Sequence, residues 1–391
     1  MKLFIELNKG HIKWDEINWK FHYKHVRRIQ DRIFRKSQNK EWKKVKNLQK
    51  LLVKSHSTRL IAIRTETQKN QGRKTSGIDG LIYLTHSSRE QLYQEISQIN
   101  SFNHRCDPVK RIYIPKTNGK TRPLEIPTIR DRVMQTIVKM TLEPEWEAKF
   151  EPNSYGFRPG RRTQDAIKQI WDVIRERKGK QTSAWVLDAD LTGGFDNINH
   201  DSILTKIPVF KKTIKRWLKA GMIELGQYKH TKSGTPQGGI ISLLLANIAL
   251  DGLERDIGME SQYGNYLTPS QRRGNNKGIS VIRYADDFII SAPSKEILVQ
   301  YLLPKLTVLL RNRGLSLNQA KTHIVHLEQG FNFLEFHIRQ FSGEQQSICL
   351  YKPSKEAIQK VLTKIKDFLS HNKQAKQEDV IKYLNPIIWG W

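Results

Sequence analysis

The chain has 391 residues, with 67 Lys plus Arg against 38 Asp plus Glu and a formal net charge of +29, so two or three subdomains and a polyanionic partner, most commonly nucleic acid, are expected. Its most apolar stretch, Ile240 to Leu250, spans 11 residues and is interrupted by Ser242 and Asn247, too short to cross a bilayer, and the start of the chain lacks the apolar core and cleavage site of a signal peptide. Cys106 and Cys349, the two cysteines, form neither a zinc-ligand spacing nor a disulfide framework, so a reducing cytoplasm and no membrane are expected.

In chain order, the first fifty residues carry 15 Lys or Arg against 5 Asp or Glu. Val26, Ile29 and Ile33, then Val45, Leu48 and Leu52, recur at helical spacing, which predicts two or three helices sharing one buried stripe under a basic outer face. That face fits RNA contact or simple solvation. Residues 68–80 are polar and glycine-rich and read as a loop. Beyond it short strands alternate with helices to about Arg339, with a second loop at 260–278. From Ser354, a plausible N-cap, the helical period resumes at Ile358, Val361, Leu362, Ile365, Phe368 and Leu369. A second helix is expected to start near Gln377.

Two acidic elements interrupt this pattern. Between two β-rich runs, Ala285-Asp-Asp287 reads as a hairpin turn with paired acids. Such a pair is either a solvated turn, with Asp there for backbone reasons, or a site where a divalent cation removes the repulsion. In Ala184-Trp-Val-Leu-Asp-Ala-Asp-Leu191, strand alternation puts Val186, Asp188 and Asp190 on one face. Burying unpaired carboxylates costs several kcal/mol, on the order of 3 or more. These acids therefore sit at an exposed strand end or meet a metal. Three carboxylates on neighbouring strands suit two Mg²⁺ ions about 3.5–4 Å apart, the arrangement used for phosphoryl transfer to a growing strand. Asp190 and Asp286 are 96 positions apart in sequence, so only folding can unite them.

Tyr284-Ala-Asp-Asp287 resembles the signature of reverse transcriptases, and further blocks follow in the same order. Arg111-Ile-Tyr-Ile-Pro-Lys-Thr-Asn-Gly-Lys-Thr-Arg-Pro-Leu-Glu-Ile-Pro127 resembles the finger strands, and Ser154-Tyr-Gly-Phe-Arg-Pro-Gly160 the block after them. Asp188-Ala-Asp-Leu-Thr-Gly-Gly-Phe-Asp-Asn-Ile-Asn-His200 is similar to the first catalytic block, and Gly234-Thr-Pro-Gln-Gly-Gly-Ile-Ile-Ser242 to the block that contacts nucleotide and template. Gly314-Leu-Ser-Leu-Asn-Gln-Ala-Lys-Thr-His323 and Phe331-Asn-Phe-Leu-Glu-Phe336 resemble the last palm blocks. Lys74-Thr-Ser-Gly-Ile-Asp-Gly80 resembles the N-terminal extension of the group II intron-encoded branch. The likeness runs from about Trp14 to the last residue.

The resemblance implies an α+β right-hand polymerase fold. It would comprise a basic helical N-terminal extension with an RNA-binding loop over 1–90, fingers and an antiparallel palm sheet over 91–342, and the start of a helical thumb over 343–391. It further implies RNA-directed DNA synthesis, with RNA template, host intron RNA, DNA primer and dNTP as partners and two Mg²⁺ ions, replaceable by Mn²⁺, as cofactor. Asp190, Asp286 and Asp287 map onto the metal ligands, with the Leu191 carbonyl completing one shell. Lys116 and Arg122 map onto the grip on the triphosphate, Phe195 onto the steric gate against a ribose 2′-hydroxyl, and Gln237 and Gly238 onto the nucleotide-sugar contact. Lys321 maps onto a general acid for pyrophosphate, or forms a salt bridge.

The chain departs from the family pattern at Glu125 and Glu335, where glycine is usual, at Leu243, where proline is usual, and at Gly194, where the family has a bulkier residue. Glycine positions often need unusual φ or close approach, so strain and reduced activity are expected at the two glutamates. The family continues beyond the opening of the second thumb helix, which implies low processivity here. An alternative reading is an intron RNA-binding, maturase-like remnant with little or no polymerase activity; another is an RNA-templated RNA polymerase.

Overall fold

The computed structural model describes residues 12–115, 119, 121–175, 183–259, 277–343 and 347–390, without the side chains of 194 and 195. Lys116 and residues 260–276 of the anticipated second loop therefore lie outside the described residues. The chain divides into two compact units, one formed by residues 1–160, 191–253 and 307–317, the other by 161–190, 254–306 and 318–391.

In the first unit, α1 (Trp19–Gln38), α2 (Trp42–Lys54) and α3 (His56–Arg64) pack against α5 (Ile129–Glu147), with α4 (His86–Gln98) beside α3. The apolar stripe read from sequence is the buried seam: Val26, Ile29, Ile33, Val45, Leu48 and Leu52 cluster with Ile61. Each such side chain contributes about 1.5–3 kcal/mol through burial. Asn18 caps α1 by accepting from the Phe21 amide at 3.1 Å. The polar loop that follows is docked. Arg132 on α5 donates to the carbonyls of Gly72 (3.0 Å), Thr75 (2.5 Å) and Pro127 (3.0 Å). A Cβ at Gly77 would stand 2.6 Å from the Thr128 backbone, so glycine is what permits that approach.

A four-stranded sheet completes this unit in the order β2 (Thr121–Ile126), β1 (Val109–Pro115), β4 (Met222–Glu224), β5 (Gln227–Lys229). The β1–β2 and β4–β5 pairs are antiparallel hairpins, whereas β1 and β4 run parallel. The short helices α7 (Gly194–Asn197) and α8 (His200–Leu204), the basic α9 (Lys211–Leu218) and the buried α10 (Ser242–Leu250) belong here too. The most apolar stretch of the sequence thus becomes a core helix.

The second unit is built on an antiparallel sheet in the order β6 (Ser280–Tyr284), β7 (Asp287–Ala292), β3 (Trp185–Ala189), β8 (His323–His326), with α6 (Thr163–Ile174) against β6. The core strands β6 and β7 are buried on both faces, which explains their unbroken apolar runs. A three-stranded antiparallel sheet follows, β11 (Ile348–Pro353), β10 (Phe336–Phe341), β9 (Phe331–Phe333). The β10–β11 hairpin spans residue 343, so the strand after it pairs with β10 before it. Helix Lys355–His371 starts where expected, with Ser354 Oγ accepting from the Ala357 amide at 3.1 Å, and helix Gln377–Gly390 follows. Among the described residues no helix is long and apolar enough to cross a membrane.

Candidate active site

The acids converge at one end of the antiparallel sheet. Register pairs Ala189 with Phe288 and Tyr284 with Asp287, so β6 and β7 are joined by a two-residue turn, Ala285-Asp286. Asp190 and Asp287 each lie one step beyond the Ala189–Phe288 pair, near enough for the Asp190 charge to act on Asp287. Ala285 sits at φ +59°, a left-handed conformation that is uncommon for a residue other than glycine. The fully buried Arg283 donates from Nη1 to the Ala285 carbonyl at 3.0 Å and so braces the turn from within the core.

Electrostatics record the crowding. Partial burial, then the charges of Asp286, Asp190 and Asp188, push Asp287 up to about 6, with Lys321 pulling the other way. Asp188, paired in register with His323, is likewise pushed up to about 6, by burial first and the Asp190 charge last. Lys321 Nζ donates to Asp190 Oδ2 at 2.9 Å, and that bond, with the Asp190, Asp287 and Asp286 charges, raises its own pKa. Asn318 Nδ2 reaches the same oxygen at 3.4 Å, and the Asn318 amide donates to the Asp190 carbonyl at 2.9 Å. Among the described residues, no three His, Cys, Asp or Glu side chains already stand at ligating distance around one point. The ammonium of Lys321 thus rests on Asp190. A set of hard carboxylate oxygens that draws a side-chain ammonium suits a divalent ion. Leu191 bridges to Leu317 through bonds that use the Asp190 carbonyl and the Thr192 amide, and neither uses the Leu191 carbonyl.

The first unit brings other anticipated residues together. Arg122 Nε donates to Gln237 Oε1 at 3.1 Å, and Gln237 Nε2 donates to Asp196 Oδ1 at 2.8 Å. Gly238 lies at φ +118°, and a Cβ there would stand 2.6 Å from the Glu125 carbonyl. The Glu125 amide in turn donates to the Gln237 carbonyl at 2.6 Å, so the glycine-rich segment is laid directly along β2. Phe195 occupies α7, whose end is clamped: Ser233 Oγ donates to the Asp196 carbonyl at 3.0 Å, and Gly234 packs against the Asp196 backbone. A cavity of about 190 Å³ is lined by Arg111, Glu125, Asp196, Lys232 and Gly234 among others.

The unusual residues separate by backbone. Glu125 is buried, keeps an ordinary φ and is neutralised by a hydrogen-bonded ion pair with Arg111, so no backbone strain arises there. Glu335 lies at φ +68° after Leu334 at φ +49°, the left-handed region that favours glycine, and its carboxylate is held by Lys360 at 2.8 Å. Leu243 is a half-buried position in the first turn of α10. Sequence reading assigned no role to Asp196, Asn318, Arg283 or Arg111. Arg111, Asp196 and Asn318 lie inside quoted blocks, which is the signal that could have found them. Arg283, in an apolar run, resembles an outlier until the turn it braces is visible.

Residues 114–338 match the family model described as reverse transcriptase (RNA-dependent DNA polymerase), and residues 14–96 match the N-terminal domain of reverse transcriptase. Protein YkfC of Escherichia coli K12 is 32% identical over 293 residues, covering 68% of this chain and 77% of that protein. The group II intron-encoded protein LtrA of Lactococcus lactis subsp. cremoris is 32% identical over 329 residues, covering 69% of this chain and 53% of LtrA. Maturase-like protein 1 of Euglena gracilis is 28% identical over 367 residues, 93% of this chain and 73% of that protein. The chain thus spans most of YkfC but about half of LtrA.

Proposed function

The chain belongs to the reverse transcriptase family, with group II intron-encoded proteins among its relatives, and we propose that it is an RNA-directed DNA polymerase of that type. It adds deoxynucleotides to a DNA primer 3′-end on an RNA template and also binds an intron RNA. The extension over 1–90 serves RNA binding, 91–342 serves as fingers and palm, and 343–391 opens the thumb.

Convergence of Asp190, Asp286 and Asp287 at one sheet end, with Lys321 among them, is the observation that carries this reading. Reverse transcriptases use a divalent metal; here Asp190, Asp286 and Asp287, with the Leu191 carbonyl, would hold two Mg²⁺ or Mn²⁺ ions. When bound, such ions activate the primer hydroxyl and neutralise the leaving pyrophosphate. Lys321, whose ammonium lies 2.9 Å from Asp190 Oδ2, would donate a proton to the departing phosphate oxygen. Arg122, steered by Gln237, supplies positive charge and directed N–H groups to the triphosphate, together with Lys116. Gly238 admits the nucleotide sugar close to the backbone, and the Phe195 ring excludes a 2′-hydroxyl.

The test is Mg²⁺-dependent extension of a DNA primer on an RNA template by wild type and Asp286→Ala. Loss of a ligand to charge-stabilising metal removes several kcal/mol, on the order of 4, so a fall of about 10³-fold is expected. Equal extension by the variant, or no dNTP incorporation by wild type, refutes the assignment.

A further inference from the structure

The first unit carries a second concentration of positive charge that no role above uses. A cavity of about 550 Å³ is lined by Arg105, Lys212, Lys215, Arg216 and Lys219, the remaining wall being Cys106 and Ala220. No carboxylate and no aromatic ring lines it. Burial first, then Asp131, pushes the Cys106 thiol up to about 12, so that wall is neutral. The nearby acids are already engaged, Asp107 by Arg130 at 2.7 Å and Asp131 by His104 at 2.5 Å. Among the described residues, no ion pair or hydrogen bond engages the side chains of Arg105, Lys212, Lys215 or Lys219.

The cavity wall is fixed rather than a loose fringe of lysines. Arg216 Nη1 donates to the carbonyls of Asn103 (2.6 Å) and His104 (3.2 Å). Thr213, fully buried on the opposite face of α9, donates to the Ser101 carbonyl at 2.8 Å and accepts from the His104 amide at 3.3 Å. Helix α9 is thereby locked to the 101–107 segment, with its cations turned outward. Lys212, Lys215 and Lys219 follow one helical face and rise over about 10 Å. At 3.4 Å per phosphate along one strand of a duplex, that spans about three phosphates.

We infer that this cavity is an anchor for the sugar–phosphate backbone of a nucleic-acid strand, separate from the Arg122–Gln237 group and from the carboxylates. Five cations without a carboxylate match a run of phosphates. With cations and neither carboxylate nor aromatic ring in its wall, the cavity matches phosphates rather than base edges, so recognition is expected to be largely independent of sequence.

The experiment uses the full chain and its K212A/K215A/K219A variant, checked for an unchanged melting temperature, together with the charge-conserving K212R/K215R/K219R variant. Binding of a structured RNA is measured as salt is raised. Each lost phosphate contact lowers the slope of log affinity against log salt by about 0.7–0.9. The alanine variant is therefore expected to lose about 2 units of slope, the arginine variant to keep the wild-type slope, and both to incorporate dNTP at the wild-type rate on saturating primer–template. An unchanged slope in the alanine variant overturns the proposal. So does weaker binding at the same slope, which marks structural damage instead. A third arm measures inorganic pyrophosphate binding: loss of pyrophosphate affinity in the alanine variant with the RNA slope intact would make the ligand a free polyphosphate, and the strand anchor would be wrong. Loss of slope in a protein that also fails to polymerise would leave this anchor standing while the polymerase reading falls.

Discussion

At the scale of single residues, local burial and backbone decide more than residue type does. His56 is one of three histidines near the α1–α3 contact, and burial, with the charges of His22 and Arg59, lowers it from 6.5 to about 4. Its Nδ1 lies 2.5 Å from the Tyr93 hydroxyl, which a neutral imidazole can accept. The unfolded chain takes up a proton below pH 6.5 while the folded chain resists until about 4. Stability from this group is therefore complete above 6.5 and is lost as the pH falls toward 4. The melting temperature is expected to drop across that window, and less in a His56→Gln variant; parallel curves would show that another group governs acid sensitivity. Glu335 presents the opposite case, an exposed acid in a left-handed conformation. Its ion pair with Lys360 is solvent-exposed and contributes about 0–1 kcal/mol, whereas relief of a left-handed side chain is worth about 1–2 kcal/mol. Glu335→Gly is expected to raise stability by about 0.5–1 kcal/mol in urea titrations, and a destabilised variant would locate the strain elsewhere. Sequence comparison with the family flagged Glu125 and Glu335 alike. Only backbone geometry separates the accommodated residue from the strained one.

Elements carry the site, and the β6–β7 hairpin carries most of it. Its turn must hold Asp286 and Asp287 at adjacent positions while Ala285 adopts φ +59°. Glycine can take that conformation without cost, and a β-branched residue cannot. Ala285→Gly is expected to retain primer extension within a few-fold, and Ala285→Val to lose at least about tenfold, equivalent to about 1.4 kcal/mol of misplacement in the transition state. Equal rates for the two would show that the turn conformation does not govern the acids. The strands and helices around it were readable in advance because each has a periodic apolar pattern: the α1–α2 stripe, the continuous β6 and β7 runs and the Ser354-capped helix all form where the pattern puts them. The parallel β1–β4 pair was not readable, because it joins residues more than a hundred positions apart and leaves no local signature. Nor was the Arg122–Gln237–Asp196 chain, whose members come from β2, a glycine-rich loop and a one-turn helix.

For the whole molecule, the charge of +29 is a standing repulsion that a polyanion relieves. A ligand that binds only the folded state stabilises it by mass action. Adding RNA at low salt is therefore expected to raise the melting temperature by several degrees, and raising the salt to about 0.5 M to abolish most of the gain through counterion competition. A gain that persists at high salt would point to contacts other than phosphate. Sequence alone determined the basic character, the α+β element content, the family resemblance and which three acids are the candidates, because these depend on residue type, spacing and order along the chain. Tertiary structure alone decided that Lys321 is the cation resting on Asp190, that Arg283 braces the acidic turn from inside the core, and that five cations from two separate segments share one cavity. Each of those depends on strand register or helix docking between distant residues, and such juxtapositions are fixed by the packing of the folded chain, which no local pattern encodes.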